Sequence, residues 1–415
     1  MLDHETLLDK SIKLRETENE EWLEQRKPWM VGKMQVTRQR SGEKLVVTLS
    51  GRLDASTAPE FDASLDLQGV RELILDFLEC DFISSAGIRS IMKANQVMMK
   101  CSGTLSLRNV APLVFEVFEL TGLSAILPIQ RRMREISLDG LELFSSGVCG
   151  ECYRIDSETV VKLYKDGVAP DIAEQEKQFA KAAFVMGIPT AISYDVVTCG
   201  TRTGVIFEFI DAKLFSEVIR NDLESMDRYA KMLSDTAKTL HTAKGDTKIL
   251  PNMKERLRGY IRDIGYLLTP EQSDLLLAKL ETIPDDDHCI HFDLHSSNIM
   301  MQNGELIIID MGDLSIGSYL FDIGLIYLIY GIPELGISML ATKIPVDQGV
   351  AFWDCFKKHY FADRTEEERR YFDDNKYFLA SLRIIHVITF LTHVREEFEN
   401  RLTKFLLPRI LEEKP

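Results

Sequence analysis

The sequence predicts two domains, a small α/β domain followed by a larger α+β domain in two lobes, strand-rich first and helical after. Three observations carry this. Over residues 34–130 short apolar strands alternate with helical stripes, the pattern of a small α/β unit. From residue 134 to about residue 211 strand-like runs dominate, and beyond them the apolar spacing turns helical. The 415 residues also exceed what one core ordinarily serves, so two to three domains are expected.

Composition narrows the functional classes. Apolar residues make up 45% and charged residues 27%, as in globular proteins that face water. The net charge of −16 argues against a nucleic-acid binder. It fits a cationic small substrate, and fits solubility better. Seven cysteines, odd in number and scattered, predict free thiols in a reducing cytoplasm. The start Met1-Leu-Asp-His-Glu-Thr6 lacks the basic and apolar segments of a signal peptide. The most apolar stretches, Leu320–Ile332 and Leu379–Val394, are short or broken by Arg383 and His386, so no membrane span is expected.

Residues 1–33 are polar and Glu-rich, predicting a helical N-terminal extension. In the first domain, Lys44-Leu-Val-Val-Thr-Leu-Ser-Gly51 reads as a strand ending at a turn, and Glu72-Leu-Ile-Leu-Asp-Phe77 as a buried strand. After Ser84-Ser-Ala-Gly87, the residues Ile88, Ile91, Met92, Met98 and Met99 mark one helical face, interrupted by Asn95. Thr104–Arg108 reads as a strand and Pro112–Leu120 as a helix. Gly51-Arg-Leu-Asp54, Asp76, Asp81-Phe-Ile-Ser-Ser-Ala-Gly-Ile88 and Leu120-Thr-Gly-Leu123 together resemble the STAS domain of bacterial anti-sigma factor antagonists. The resemblance implies an anti-sigma-factor-like partner and a phosphorylation switch at Ser85, two residues before the loop glycine. Ser84 stands where the family often has Asp. A phosphate on Ser85 would meet a helix N-terminus and act on a docked partner through its charge; plain helix capping by Ser84 and Ser85 is the alternative.

The basic break Gln130-Arg-Arg-Met-Arg134 marks the boundary, giving a first domain over 34–130 and a second over 134–415. The second divides into an N-lobe, 134–211, and a C-lobe, 212–415. Its most telling stretch is His291-Phe-Asp-Leu-His-Ser-Ser-Asn298, followed by the strand-like Leu306-Ile-Ile-Ile309 and then Asp310. Phosphoryl transfer from a nucleotide needs a carboxylate for the acceptor's proton, here Asp293, and hard oxygen ligands for Mg²⁺, here Asn298 and Asp310. His288, His291 and His295 also have a spacing compatible with zinc, but zinc would leave Asp293, Asn298 and the strand into Asp310 unexplained. His291 is expected to brace the loop, with His288 and His295 incidental.

These residues resemble the aminoglycoside phosphotransferase and choline kinase branch of the protein-kinase-like fold. The resemblance implies ATP and Mg²⁺ as cofactors. It also implies a Gly-rich nucleotide loop at Ser145–Tyr153 containing Gly147 and Gly150, and a phosphate-binding Lys162 in Thr159-Val-Val-Lys-Leu-Tyr164. The partner of Lys162 would be Glu176, with Glu174 the alternative. The inter-lobe hinge falls at Gly204-Val-Ile-Phe-Glu-Phe-Ile-Asp211, placing Glu208 among the nucleotide-binding residues. Asp322 matches a bracing acidic position, and Asp313 reads as a group near the metal or a turn residue. The short segment between Asp310 and Asp322 points to the small-molecule branch.

Other features yield less. Cys149-Gly-Glu-Cys152 allows metal or redox chemistry but has no second such pair. The stripe Met226, Tyr229, Ala230, Leu233, Ala237 and Leu240 is core packing, with His241 expected to belong to it. The acidic run from Asp363 to Asp374, interleaved with Arg364, Arg369 and Arg370, reads as a solvated helix face. The expected function is a signalling protein that couples an ATP- and Mg²⁺-dependent phosphotransferase, acceptor unknown, to a STAS switch. The alternatives are a small-alcohol or aminoglycoside-type kinase tethered by its STAS domain, and a non-catalytic nucleotide-binding scaffold.

Overall fold

The computed structural model describes residues 34–147, 149–390 and 395–413; the helical extension expected over residues 1–33 lies outside them. The chain divides into two compact units that meet between Met133 and Arg134.

The first unit is a five-stranded sheet in sequential order, β1 (Gln35–Ser41), β2 (Lys44–Leu53), β3 (Glu72–Ile83), β4 (Thr104–Val110) and β5 (Ile129–Arg131). β1 and β2 form an antiparallel hairpin, and every later neighbour is parallel. Parallel neighbours require crossovers, here the helices Ala58–Ser64, Ser85–Lys100 and Pro112–Leu120. The first half of β3 is buried on both faces, as befits a central strand between layers. Phe77 from β3 meets Phe118 edge-on, their ring centroids 6.0 Å apart.

Two strand ends differ from expectation. β2 does not stop at Gly51 but continues to Leu53, with Gly51 at φ +100° beside a register shift. A bulge needing positive φ is what glycine supplies. β3 runs past Phe77 to Ile83, because β2 keeps pairing with it as far as Leu53 opposite Ile83. Asp81–Ile83, expected in the switch loop, is therefore strand.

The second unit opens with a six-stranded sheet. In chain order its strands are β6 (Arg134–Glu135), β7 (Glu142–Ser146), β8 (Gly150–Arg154), β9 (Thr159–Tyr164), β10 (Ser193–Cys199) and β11 (Arg202–Glu208). In space the order is β6-β10-β11-β9-β8-β7. β9 is thus interior, between β8 and β11. The turn from β8 to β9 is held by the Asp156 carboxylate, which accepts from the backbone N–H groups of Glu158 and Thr159, both at 2.8 Å. The helix Pro170–Val185 follows β9.

Beyond residue 211 helices dominate, among them Met226–Leu240, Met253–Asp263, Leu320–Ile326, Val346–Tyr360 and Glu366–Phe390, around one large apolar core. Tyr229, Ala230, Leu233, Ala237 and Leu240 bury the expected stripe. Two short antiparallel pairs, Ile299–Gln302 with Glu305–Ile308 and Cys289–Ile290 with Ser315–Ile316, frame the segment carrying Asp293 and Asp310. No helix among the described residues is long and apolar enough to cross a membrane.

Candidate functional site

Lys162 projects from interior strand β9, and the helix Pro170–Val185 brings Glu176 to it. The ammonium lies 2.9 Å from both Glu176 carboxylate oxygens and 2.7 Å from Oδ1 of Asp310. Burial works against the charge on Lys162, but Asp310 and Glu176 outweigh it and hold its pKa well above that of an ordinary lysine. Glu176 is only 1% exposed, and burial pushes its carboxyl up to about 7 against the pull of Lys162. Tyr164 also donates its hydroxyl to Glu176.

The loop before β8 is tight for a packing reason. A Cβ at Gly150 would sit 2.4 Å from the Leu163 carbonyl oxygen, so close strand pairing alone demands glycine there. Gly147 is not so constrained: its N–H donates to the Gly150 carbonyl at 2.8 Å, and a Cβ would meet nothing nearer than 3.8 Å. The Glu208 carboxylate accepts from the backbone N–H of Ile192 at 3.3 Å.

The loop 291–298 is fixed from beneath by Asp322, which is fully buried. Its carboxylate accepts from the backbone N–H of His291 at 2.9 Å and of Phe292 at 2.6 Å, and faces Nε2 of His241 at 2.9 Å. His241 in turn reaches the Tyr360 hydroxyl at 2.8 Å. Phe292 sits at φ +61° and Asp310 at φ +64°, left-handed conformations that cost a non-glycine residue energy and persist only where the surroundings impose them. His291 spans the two stretches: Nε2 lies 3.1 Å from the Ile309 carbonyl, and Nδ1 accepts from the Asp293 N–H at 3.2 Å. Tyr330, in a π-helical turn over Tyr327–Gly331, supports the buried Ser296 through hydroxyl contacts at 2.7 Å to its Oγ and 3.2 Å to its N.

Asp293 is the hub of a second cluster. Asn298 Nδ2 donates to its Oδ2 at 3.0 Å, and Arg383 Nη2 lies 2.8 Å from its Oδ1. Arg383 comes from the helix Glu366–Phe390 and also donates through Nη1 to Asp313 at 2.8 Å. Burial opposes the Arg383 charge, but Asp293 and Asp313 hold its pKa above the ordinary arginine value. Asp313 is held well below the usual carboxylate range, burial being outweighed by His386, Arg383 and Arg256. His386, one turn beyond Arg383, accepts from it at 3.0 Å; burial pushes its ring down to about 4 despite Asp313.

His295 is not incidental. It is 9% exposed; its Nδ1 accepts from the Ser297 N–H at 3.2 Å, and its Nε2 faces Asp293 Oδ1 at 3.6 Å. Burial keeps its pKa below the ordinary value. The structure does not bring the three spaced histidines together, since His288 turns to Asp286 at 2.5 Å. Cys149 and Cys152 are free thiols whose pKa values burial raises, that of Cys152 to about 11. Sequence reasoning missed Arg383, His386, Arg256 and Tyr330. The available signal was Arg383 and His386 standing one helical turn apart in an otherwise apolar run.

The donor set fits Mg²⁺ and a nucleotide. Asn298 uses its amide nitrogen on Asp293, which leaves its oxygen as a hard donor. Asp310 uses only Oδ1 on Lys162, and its Oδ2 has no partner among the described residues.

In the first unit, Ser84 caps the helix Ser85–Lys100 by accepting from the Ala86 N–H at 3.2 Å. Ser85 is the exposed first residue of that helix. A Cβ at Gly87 would lie 2.5 Å from the Leu53 carbonyl oxygen, so this helix start is pressed against the end of β2.

Comparison with known proteins agrees with this architecture. A family model described as Mlab, STAS domain matches residues 36–128, and that of the phosphotransferase enzyme family matches residues 140–344. A Bordetella bronchiseptica protein named as an anti-sigma factor antagonist, BtrV, is 32% identical over 99 residues, covering 23% of this chain and 85% of the relative. The anti-sigma-B factor antagonist of Listeria monocytogenes is 28% identical over 96 residues, covering 22% of this chain and 84% of the relative. Among solved structures, the aminoglycoside phosphotransferase APH(4)-Ia aligns at 13% identity with a TM-score of 0.46, over 66% of this chain and 94% of that one. Plasmodium vivax ethanolamine kinase aligns at 17% identity with a TM-score of 0.46, over 67% and 85%. Fold and matches define a two-domain chain, a STAS domain followed by a kinase-like phosphotransferase domain. Through its N-terminal domain the chain belongs to the family of bacterial anti-sigma factor antagonists.

Proposed function

We propose that the protein is an ATP- and Mg²⁺-dependent phosphotransferase whose activity or nucleotide occupancy is coupled to partner binding by its STAS domain. The observation that carries this is the assembly of Lys162, Glu176 and Asp310 within hydrogen-bond distance, beside Asp293 bonded to Asn298. In this reading Gly147 and Gly150 cover the phosphates and the segment around Glu208 meets the base. Lys162, steadied by Glu176, holds the phosphates. Asn298 and Asp310 hold Mg²⁺, which supplies positive charge to the phosphate oxygens. His291 and Asp322 brace the loop.

Transfer proceeds by attack of the acceptor oxygen on the γ-phosphorus. A new P–O bond forms, the bond to the bridging oxygen breaks, and its electron pair leaves with ADP. The acceptor's proton passes to Asp293. Catalysis rests on position and charge. The STAS domain would bind an anti-sigma-factor-like protein, with exposed Ser85 as its phosphorylation switch, in a cytoplasmic setting.

One observation favours the second reading, a small-molecule kinase with the STAS domain as tether. Between Asp310 and Asp322 the chain is a single turn, a two-residue strand and a mostly buried run into the helix Leu320–Ile326. It offers no long exposed segment for docking a peptide.

The test is intact mass and peptide mapping after incubation with Mg·ATP, alongside Asp293→Ala. A phosphate on Ser85 in the wild type alone supports the self-modifying switch. Phosphate on neither protein removes Ser85 as the acceptor of this domain and turns the search to small alcohols and amines.

A further inference from the structure

Arg383 is the least expected member of the site. Resting on the phosphotransferase reading above, we infer that Arg383 is a catalytic residue that contacts the transferring phosphoryl group, supplying in cis a second cation opposite Lys162.

Three observations point this way. The first is position. A proton acceptor must lie within hydrogen-bond reach of the attacking oxygen, and Arg383 Nη2 is 2.8 Å from Asp293 Oδ1. The guanidinium therefore stands within about 6 Å of the attacking oxygen, close enough for a small side-chain movement to reach the phosphoryl oxygens. The second is donor capacity. A guanidinium carries five N–H donors. Asp313 and His386 take two of them through Nη1, and Nη2 faces Asp293. Among the described residues Nε has no hydrogen-bond partner, while the guanidinium stands over the Phe292 ring at 5.5 Å. The third is support. Arg383 is anchored by Asp313 and by Nδ1 of His386, whose ring, with its pKa near 4, accepts from the guanidinium and adds no competing charge at neutral pH. Asp313 also has Arg256 at 4.0 Å, so the anchor does not neutralise Arg383 by itself.

The chemistry asks for such a group. In phosphoryl transfer the three equatorial oxygens carry spread negative charge while one P–O bond forms to the acceptor and another breaks to ADP. A planar guanidinium matches those oxygens with two parallel donors. Lys162, held by Glu176 and Asp310, serves the phosphates that remain with ADP. Arg383, on the side of Asp293, faces the group that moves.

Mg·ADP with aluminium fluoride mimics the moving phosphoryl group and needs no acceptor. Binding of Mg·ADP to the full chain would be titrated by calorimetry with and without fluoroaluminate, for wild type, Arg383→Gln, Arg383→Lys, Asp293→Ala and the double variant Asp293→Ala with Arg383→Gln. The expected result is tightening by fluoroaluminate in the wild type, reduced about 10²-fold in Arg383→Gln and partly restored in Arg383→Lys. Mg·ADP alone should bind all variants within about twofold, since Arg383 does not face the retained phosphates. Asp293→Ala should keep most of the tightening, and the double variant should lose it. Full tightening in Arg383→Gln overturns the inference. So does an equal loss in Asp293→Ala with no further loss in the double variant, which would make Arg383 a positioning residue acting through Asp293. A wild type that binds Mg·ADP but shows no tightening overturns the phosphotransferase reading, and this inference with it. Should Arg383→Gln fail to fold, the paired substitution Arg383→Gln with Asp313→Asn removes the stranded charge and reads the same loss.

Discussion

Two cations in the second domain are each clamped between two carboxylates, yet they belong to different kinds of structure. Lys162 sits on an interior strand between Glu176 and Asp310, with Glu176 buried to 1%. Arg383 sits on a long helix between Asp293 and Asp313. Both carboxylates there keep nearly a quarter of their side-chain surface. The Lys162 clamp joins a buried carboxylate, Glu176, to an exposed one, Asp310, whose side chain keeps 43% of its surface. The Arg383 clamp has two carboxylates of like, intermediate exposure. In the proposed reading the first holds the phosphates that stay with ADP and the second faces the group that is transferred.

The sharpest break between them comes from Asp293→Ala. Phosphate transfer should fall by about 10²–10⁴-fold, measured as phosphate incorporation, while Mg·ADP affinity stays near wild type; an equal fall in affinity would merge the two clamps into one binding unit. Next in size is stability. Lys162→Met leaves Glu176 buried without its cation and should cost the second unit about 3 kcal/mol in urea unfolding. Arg383→Met, whose carboxylates reach water, should cost about 1–2 kcal/mol. The reverse order would mean that the acceptor side is the structural joint.

The pH dependence reads the Arg383 side through His386 when variants are compared. His386 has a folded-state pKa of about 4, below its ordinary value of 6.5. The unfolded chain therefore takes up a proton first as pH falls, and stability present above pH 6.5 is lost on the way down to 4. Between pH 7 and pH 5 the His386 contribution falls by about 2 kcal/mol. Glu176, its carboxyl pushed up to about 7, takes up a proton in the folded state over the same range and opposes it. The His386 share is therefore read as the difference in slope between wild type and His386→Phe. Two glycines sharpen the Lys162 side. Gly150→Ala forces a Cβ against the Leu163 carbonyl beside Lys162 and should cost about 1–3 kcal/mol. Gly147→Ala should stay within about 0.5 kcal/mol while weakening nucleotide binding.

The contrast also explains what the sequence could reveal. Asp293, Asn298 and Asp310 stand close together in the chain with a two-stranded hairpin between the last two, so local spacing exposes them. Lys162 is conspicuous because a charge interrupts an apolar strand. The alternation of strands and helices likewise made the first domain legible, although β2 and β3 run further than their apolar runs imply, since pairing and a bulge at Gly51 extend them. Arg383, Arg256 and His241 reach the site from helices distant in sequence, and no local period records a contact made across the fold. His241 had been expected to serve core packing, and it is indeed buried, but its ring is committed to Asp322 and Tyr360. The acidic run near residue 370 is the solvated helix face expected, with surface ion pairs of Asp363 with Lys238, Asp373 with Lys357 and Glu368 with Arg364.

Asp322 binds the amides of His291 and Phe292 from inside the helical core. Those two amides should exchange their hydrogens with solvent almost as slowly as the core itself, because no local opening frees them without pulling a charged group out of the core. The loop bearing Asp293 is then rigid before any ligand arrives. Binding need not spend ordering entropy on it.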